Sequence, residues 1–310
     1  MRDSPCIPRP REACSANPRR AGPLAYRFER ITPGPAIQAI HWYTSCVIHL
    51  RRNPPINPVQ SGRLPRANLM SHRKPSVGNG IQSDSGSWSF SKISDEFTAH
   101  IAQSIPLYDE NLGLILEYSD FFTGTGGVIY DLGCSTGNFL RSLAARNKEK
   151  EGLRFIGFDR VPDMIEHAQS QEPADPRIEF THADITQESF LPDVQMISSL
   201  YTMQFIHPKN RQTLFDKIYE SLNWGGAFFL TEKVRSADAR FQDYQTTVYN
   251  EYKIKAGFKA EEVLAKQSAL KGVMEPFSDR ANREMLERAG FQDVTTIFKW
   301  LCFETFLAVK

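Results

Sequence analysis

The run from Val128 to Phe139 limits what this chain can fold into more than any other stretch. Val128 to Leu132 is short, apolar and β-branched, the pattern of a buried parallel strand. Glycines at 133 and 137 then mark a turn, and Phe139 to Arg146 reads as a helix. Gly133 lets the backbone turn sharply and lets a ligand approach where a Cβ would collide. Asp131, near the end of the strand, can aim a carboxylate at a cation just beyond it. The spacing is D-x-G-x-x-x-G, which differs from the dinucleotide G-x-G-x-x-G and from the phosphate loop. No Lys follows Gly137, so a nucleoside triphosphate is disfavoured.

Helix and strand patterns alternate from here on, which predicts an α/β fold with a doubly wound, Rossmann-like sheet. The expected strands are 128–132, 153–158, 177–181, 194–200, 226–233, 291–298 and 301–309. The expected helices are 138–147, 162–170, 209–222 and 279–289. Phe291 to Val309, with aromatic and β-branched residues around Lys299, reads as two strands turning back on each other. Residues 237–275 break the alternation and read as a helical insert able to cover the carboxyl edge of the sheet. Upstream, Phe90 to Ser104 carries apolar residues at spacings of three and four, and Tyr108 to Phe122 reads as a second helix. Together these two would form an N-terminal lid.

Two further acids lie at strand ends. Asp159 follows Phe155 to Phe158, 22 residues after Gly137, where a carboxylate can accept both hydroxyls of a ribose. The alternative is a helix N-cap for the segment beginning at Pro162. Asp184 follows the third strand and would accept from an adenine amino group, with Ile185 against the ring; otherwise it is a turn Asp. An adenosine that carries an amino group and no phosphate fits these positions, so the expected ligand is S-adenosylmethionine (SAM).

Composition separates a head from a body. Residues 1–74 hold 13 Lys and Arg against 3 Asp and Glu, while the remainder holds 24 against 33. Residues 1–75 are rich in Arg, Pro and Ser without a period and read as a disordered leader; residues 76–89 read as a linker, and 90–310 as the SAM-binding domain. The leader is read as translated sequence ahead of a start at Met70, with a targeting peptide or a nucleic-acid-binding arm as alternatives. An acidic body argues against extensive nucleic-acid contact. The five cysteines show neither C-x-x-C pairing nor zinc-ligand spacing, so no metal is expected and a reducing cytoplasm is the expected compartment. No stretch reads as a membrane span; Ala36 to Leu50 is too short.

Catalytic candidates are fewer. Glu232 and Lys233 close the fifth strand at the expected mouth of the site, with a surface ion pair as the competing reading. Tyr201 lies just past the fourth strand. Cys134 has no neighbouring base and reads as packing. His207, before Pro208, reads as structural.

With these residues placed, 90–310 resembles the carboxy-S-adenosylmethionine synthases of the tRNA wobble-uridine pathway, which use the class I methyltransferase fold. The resemblance is carried by Tyr130-Asp131-Leu132-Gly133-Cys134-Ser135, Thr202-Met203-Gln204-Phe205, Asp216-Lys217-Ile218-Tyr219, Leu222-Asn223-Trp224-Gly225-Gly226-Ala227, Gly272-Val273-Met274 and Ala289-Gly290-Phe291. It implies cofactor contacts at Tyr108, Gly133, Cys134, Ser135, Asp159, Arg160, Asp184 and Ile185. Two positions depart from the family pattern. Leu200 stands where the family has Asn, and Gln267 stands where its Arg pairs with the product's extra carboxylate. A guanidinium grips a carboxylate with two charge-assisted hydrogen bonds, which a neutral amide cannot match. Lys266 is adjacent, but one helical step turns its side chain by about 100°. The expected function is therefore SAM-dependent methyl transfer to a small molecule. The rivals are the family's own conversion of SAM to carboxy-SAM with prephenate as carboxyl donor, and a non-catalytic SAM-binding protein. No motif determines the oligomeric state, and a homodimer is kept open.

Overall fold

The computed structural model describes residues 76–78, 81–82, 86, 89–90 and 100–310. The expected leader, half of the linker and residues 91–99 of the first lid helix lie outside the described residues. The chain divides after Asn68, and the unit from Leu69 to Lys310 contains every described element.

Two short antiparallel strands, β1 (Ser76–Gly78) and β2 (Ile81–Gln82), precede the main fold. Residues 100–104 are helical, and α1 (Tyr108–Ser119) follows. Strands and helices then alternate: β3 (Val128–Leu132), α2 (Asn138–Arg146), β4 (Arg154–Asp159), α3 (Pro162–Ser170), β5 (Ile178–His182), β6 (Val194–Leu200), α4 (Pro208–Ser221) and β7 (Leu222–Lys233). The insert forms two helices, α5 (Ala239–Lys255) and α6 (Ala260–Ala269). The chain ends with α7 (Asp279–Ala289), β8 (Asp293–Trp300) and β9 (Phe303–Val309).

The sheet runs β5-β4-β3-β6-β7-β9-β8, with β9 antiparallel to both of its neighbours. The strand order reverses across β3, with β4 on one side and β6 on the other. Ligands in open α/β sheets bind beyond the carboxyl ends of the strands at such a reversal. Asp131 sits there, in register with Gly157 of β4 and Ser198 of β6.

Alternation along the central strands supplies both faces of the core. Tyr130, Leu132, Phe228 and Leu230 join one cluster, and Ile129, Phe155, Met196 and Phe229 join the other. Both faces are covered, which explains why these strands read as continuous apolar runs.

The boundaries that differ most from the sequence expectation are at β7 and the last hairpin. Strand β7 begins at Leu222 rather than 226, because the chain leaves α4 directly into extended backbone and Leu222 pairs with Val194. The hairpin strands, expected over 291–298 and 301–309, each start two residues later and turn at Leu301, which has φ of 49°. Lys299 stays within β8 opposite Glu304, its ammonium 2.8 Å from Glu304 Oε2. No described helix is long and apolar enough to cross a membrane.

Candidate functional site

The glycine turn after β3 is folded against β4 and the loop after β6. Gly133 has φ of +86°, and a Cβ there would come within 2.1 Å of Thr202 Oγ1. The amides of Gly133 and Cys134 both donate to the Phe158 carbonyl, at 2.8 and 2.9 Å. Cys134 is buried; Gly157 makes room for it, since a Cβ at 157 would lie 2.8 Å from its sulfur. Burial, with Asp131 and Asp159 nearby, pushes the Cys134 thiol well above its usual range. It stays protonated and packs, as the absence of a neighbouring base implied.

Ser135, in the left-handed region at φ 51°, turns its amide onto Asp159 Oδ2 at 3.0 Å. Val161 N–H donates to Asp159 Oδ1 at 2.9 Å. The Asp159 carboxylate therefore both ties the turn to β4 and restrains the entry to α3. Burial raises its pKa, opposed by those two backbone amides. Arg160 beside it is exposed. Asp131 is almost wholly buried and accepts from Ser198 Oγ at 2.7 Å. Burial lifts its pKa to about 7, against the Ser198 hydrogen bond and helped by the charge of Asp159. Two carboxyls thus stand at adjoining strand ends, and the charge of Asp159 opposes the ionisation of Asp131.

Asp184 is exposed and accepts from the amide and hydroxyl of Thr186, at 2.9 and 2.8 Å, so it makes the turn the sequence offered as an alternative. Ile185 packs into the core beside Ala183. The fold joins this segment to the Asp159 strand end, because Ala183 N–H donates to the Asp159 carbonyl at 2.9 Å.

A second group lies beyond β6 and β7. Tyr201 is buried with φ of 60°, and its ring lies 5.8 Å from that of Tyr108 and 6.1 Å from that of Phe303. The Tyr201 hydroxyl accepts from Asn111 Nδ2 at 3.2 Å, and Asn111 Oδ1 accepts from Thr305 Oγ1 at 2.8 Å. Burial raises the pKa of both Tyr108 and Tyr201, so both phenols stay neutral. Leu200 is half-buried among apolar neighbours.

Glu232 overturns the surface ion-pair reading. It is 2% exposed, its Oε1 has no hydrogen-bond partner, and it does not pair with Lys233. Burial pushes its pKa up to about 8, opposed by Arg211 and by the backbone of Met203 and Gln204. Arg211 is itself buried and donates to the carbonyls of Ile206, Gln204 and Glu275. Gln204 donates to the Tyr201 carbonyl at 3.0 Å and accepts from the Lys233 amide at 3.1 Å. The Thr202 to Phe205 motif is thus scaffolding for the loop after β6. His207 accepts from Lys209 N–H at 3.2 Å as a helix cap, the structural role read from the sequence.

Sequence reasoning missed Asn111, Ser198 and Arg211. Polar residues at apolar positions of a helix or strand were the available signal. No group of three or more His, Cys, Asp or Glu among the described residues could hold a metal ion.

A methyltransferase-domain family profile matches residues 129–226. The carboxy-S-adenosyl-L-methionine synthase of Campylobacter jejuni subsp. jejuni serotype O:23/36 is 38% identical over 232 residues, 74% of this chain and 97% of its own length. The synthase of Staphylococcus epidermidis is 33% identical over 225 residues, covering 72% of this chain and 97% of the relative. That of Campylobacter lari is 34% identical over 219 residues, 70% of this chain and 92% of the relative. Among solved structures, one named as an O-methyltransferase of Nostoc punctiforme superposes with a TM-score of 0.50 at 13% identity, covering 71% of this chain and 59% of that one. The last of these bears on the fold alone.

Proposed function

The chain belongs to the carboxy-S-adenosyl-L-methionine synthase family, a group of SAM-dependent transferases, and from that premise we propose that it converts SAM to carboxy-SAM with a small organic acid as carboxyl donor. The observation that carries this reading is similarity at 33–38% identity that spans at least 92% of each of these three relatives.

The residues present fit SAM. The Gly133 turn keeps a Cβ out of a space bounded by Thr202, and two carboxyls with raised pKa stand at the adjoining strand ends. In this reading Asp159 holds the ribose hydroxyls, with Arg160 beside it, and Asp184 and Ile185 hold the adenine. Tyr108, Asp131, Gly133, Cys134, Ser135 and Leu200 surround the methionyl end. SAM supplies a methyl carbon activated by its sulfonium. The protein positions that carbon: the neutral phenols of Tyr108 and Tyr201 present an apolar, water-excluding wall, and holding reactants in line is the main catalytic lever. Glu232, its pKa pushed up to about 8 by burial and its Oε1 without a hydrogen-bond partner, is the group able to give or hold a proton behind Tyr201.

A second reading, methyl transfer, is favoured by Gln267. By the resemblance drawn from the sequence it takes the place of the family's carboxylate-binding Arg, and its amide donates to Asn250 Oδ1 at 2.7 Å. Incubating the protein with SAM and prephenate and weighing the nucleoside product separates the two. A nucleoside heavier by one carboxyl group is the expected result. S-adenosylhomocysteine formed only when an acceptor is added would establish the second reading instead.

A further inference from the structure

Arg211 occupies a position that the pattern of α4 reserves for an apolar side chain. The buried residues Arg211, Leu214, Phe215 and Ile218 recur at spacings of three and four, the stripe with which α4 packs on the sheet. Arg211 opens that stripe and is 1% exposed. It also lies one turn into the helix, where the positive end of the helix dipole disfavours a cation. An aliphatic side chain would fill the same face without burying a charge.

The guanidinium ties three segments together. Its Nε donates to the Ile206 carbonyl at 2.8 Å, and its Nη2 donates to the carbonyls of Gln204 and Glu275 at 3.3 and 2.8 Å. It also lies 4.3 Å from the centre of the Phe277 ring. Glu275 and Phe277 belong to the stretch between α6 and α7, and the Glu275 amide donates back to the Gln204 carbonyl at 2.8 Å. Gln204 carries this anchorage on to the site, because its side chain donates to the Tyr201 carbonyl and accepts from the Lys233 amide. Tyr201 has a left-handed backbone, a conformation that persists only where the surroundings over-determine it. Its amide is fixed on the Thr231 carbonyl at 2.7 Å and its own carbonyl on Gln204. Thr231 and Lys233 flank Glu232, so one cation braces both the Tyr201 loop and the strand end that carries Glu232.

Backbone carbonyls satisfy the hydrogen bonds of Arg211 but leave its charge in place. That charge opposes the effect of burial on Glu232, and Glu232 with Glu275 opposes the effect of burial on Arg211. The other groups that face Glu232 do not supply a cation. Tyr201 is a neutral phenol, Met203 and Gln204 present backbone, and Glu304, opposite on β9, is paired with Lys299 at 2.8 Å.

We propose that Arg211 is a positioning residue of the reaction, acting through Gln204 on the place of Tyr201 and through its charge on the proton of Glu232. A buried carboxyl can give up its proton reversibly only where the anion left behind has a cation close by. That the reaction is the carboxylation of SAM rests on the function proposed above; the hold of Arg211 on Tyr201 and Glu232 does not.

Two substitutions separate the two routes. Arg211→Lys keeps the charge but lacks the planar fork that reaches two segments at once. With SAM and prephenate, its kcat should fall about tenfold or more while KM for SAM stays within about twofold. Arg211→Met removes the charge as well. The contribution of Glu232 to stability is read by urea unfolding across pH, as the difference from Glu232→Gln made in the same background. In the parent and in Arg211→Lys that contribution should fall until about pH 8 and then level off. In Arg211→Met it should go on falling for about one pH unit more, because a carboxyl that loses a neighbouring cation holds its proton more tightly. Should Arg211→Met fail to fold, Gln204→Met frees Tyr201 without touching the charge, and its kcat should fall as in Arg211→Lys. Parent-like kcat in both Arg211→Lys and Gln204→Met overturns the proposal. So does an unfolding profile that Arg211→Met leaves unmoved, which would make Arg211 a packing residue alone. If the parent forms no carboxylated nucleoside, the proposed function fails, and the unfolding profiles by themselves decide whether Arg211 governs Glu232.

Discussion

At the scale of single residues, Gly133 and Glu232 show how closely this site is built. Gly133 combines a left-handed backbone with a contact to Thr202 that leaves no room for a methyl group. Gly133→Ala should destabilise the protein by about 1–3 kcal/mol, as for other strained backbone positions, and weaken SAM binding in parallel. Urea unfolding and calorimetric SAM titration would measure both, and parent-like values in each would contradict the packing described. Glu232 makes a prediction about pH. Its folded pKa, about 8, lies above the ordinary 4.5, so the native state holds a proton there that the unfolded chain releases. Stability from this group is complete below pH 4.5 and is lost as pH rises toward 8. Asp131, raised from 3.8 to about 7, acts with the same sign. Glu232→Gln keeps the neutral form at every pH, so its stability relative to the parent should climb across that window. A difference independent of pH would mean that Glu232 is ionised in the folded protein.

Among elements, α1 is joined to the carboxyl half of the sheet through one buried amide. Asn111 donates to Tyr201 and accepts from Thr305, whose hydroxyl also lies 2.9 Å from that of Thr231. The chain from α1 to β9 is thereby closed across almost its whole described length. Asn111→Ala removes the donor to the buried Tyr201 hydroxyl and one of the two partners of Thr305, which costs about 1–3 kcal/mol. The same substitution should disturb the Tyr108 and Tyr201 pair, so any loss of turnover should accompany the loss of stability. Denaturation showing a change within about 0.5 kcal/mol would place Asn111 among ordinary surface positions instead.

Considered whole, the molecule separates a basic, proline-rich head from an acidic catalytic unit that begins at Leu69. Every residue assigned here to SAM lies between Tyr108 and Leu200, within that unit. A protein starting at Met70 should therefore bind SAM as tightly as the full chain. A clear loss of affinity on removing residues 1–69, read by calorimetry, would give the head a part in the site.

The central strand, its glycine turn and the acid at 159 were legible in the sequence, because each is a local pattern. An apolar run, a glycine and a carboxylate at set spacing act through neighbouring backbone, and β3, β6, α3 and α7 run between the residues their periodicity indicated. The burial of Glu232 and the Asn111 network could not be read in the same way. Asn111 and Thr305 are 194 positions apart. Local periodicity says which face of an element is apolar. It does not say which polar residues from distant elements will share one buried space, and only the packed sheet and its insert decided that.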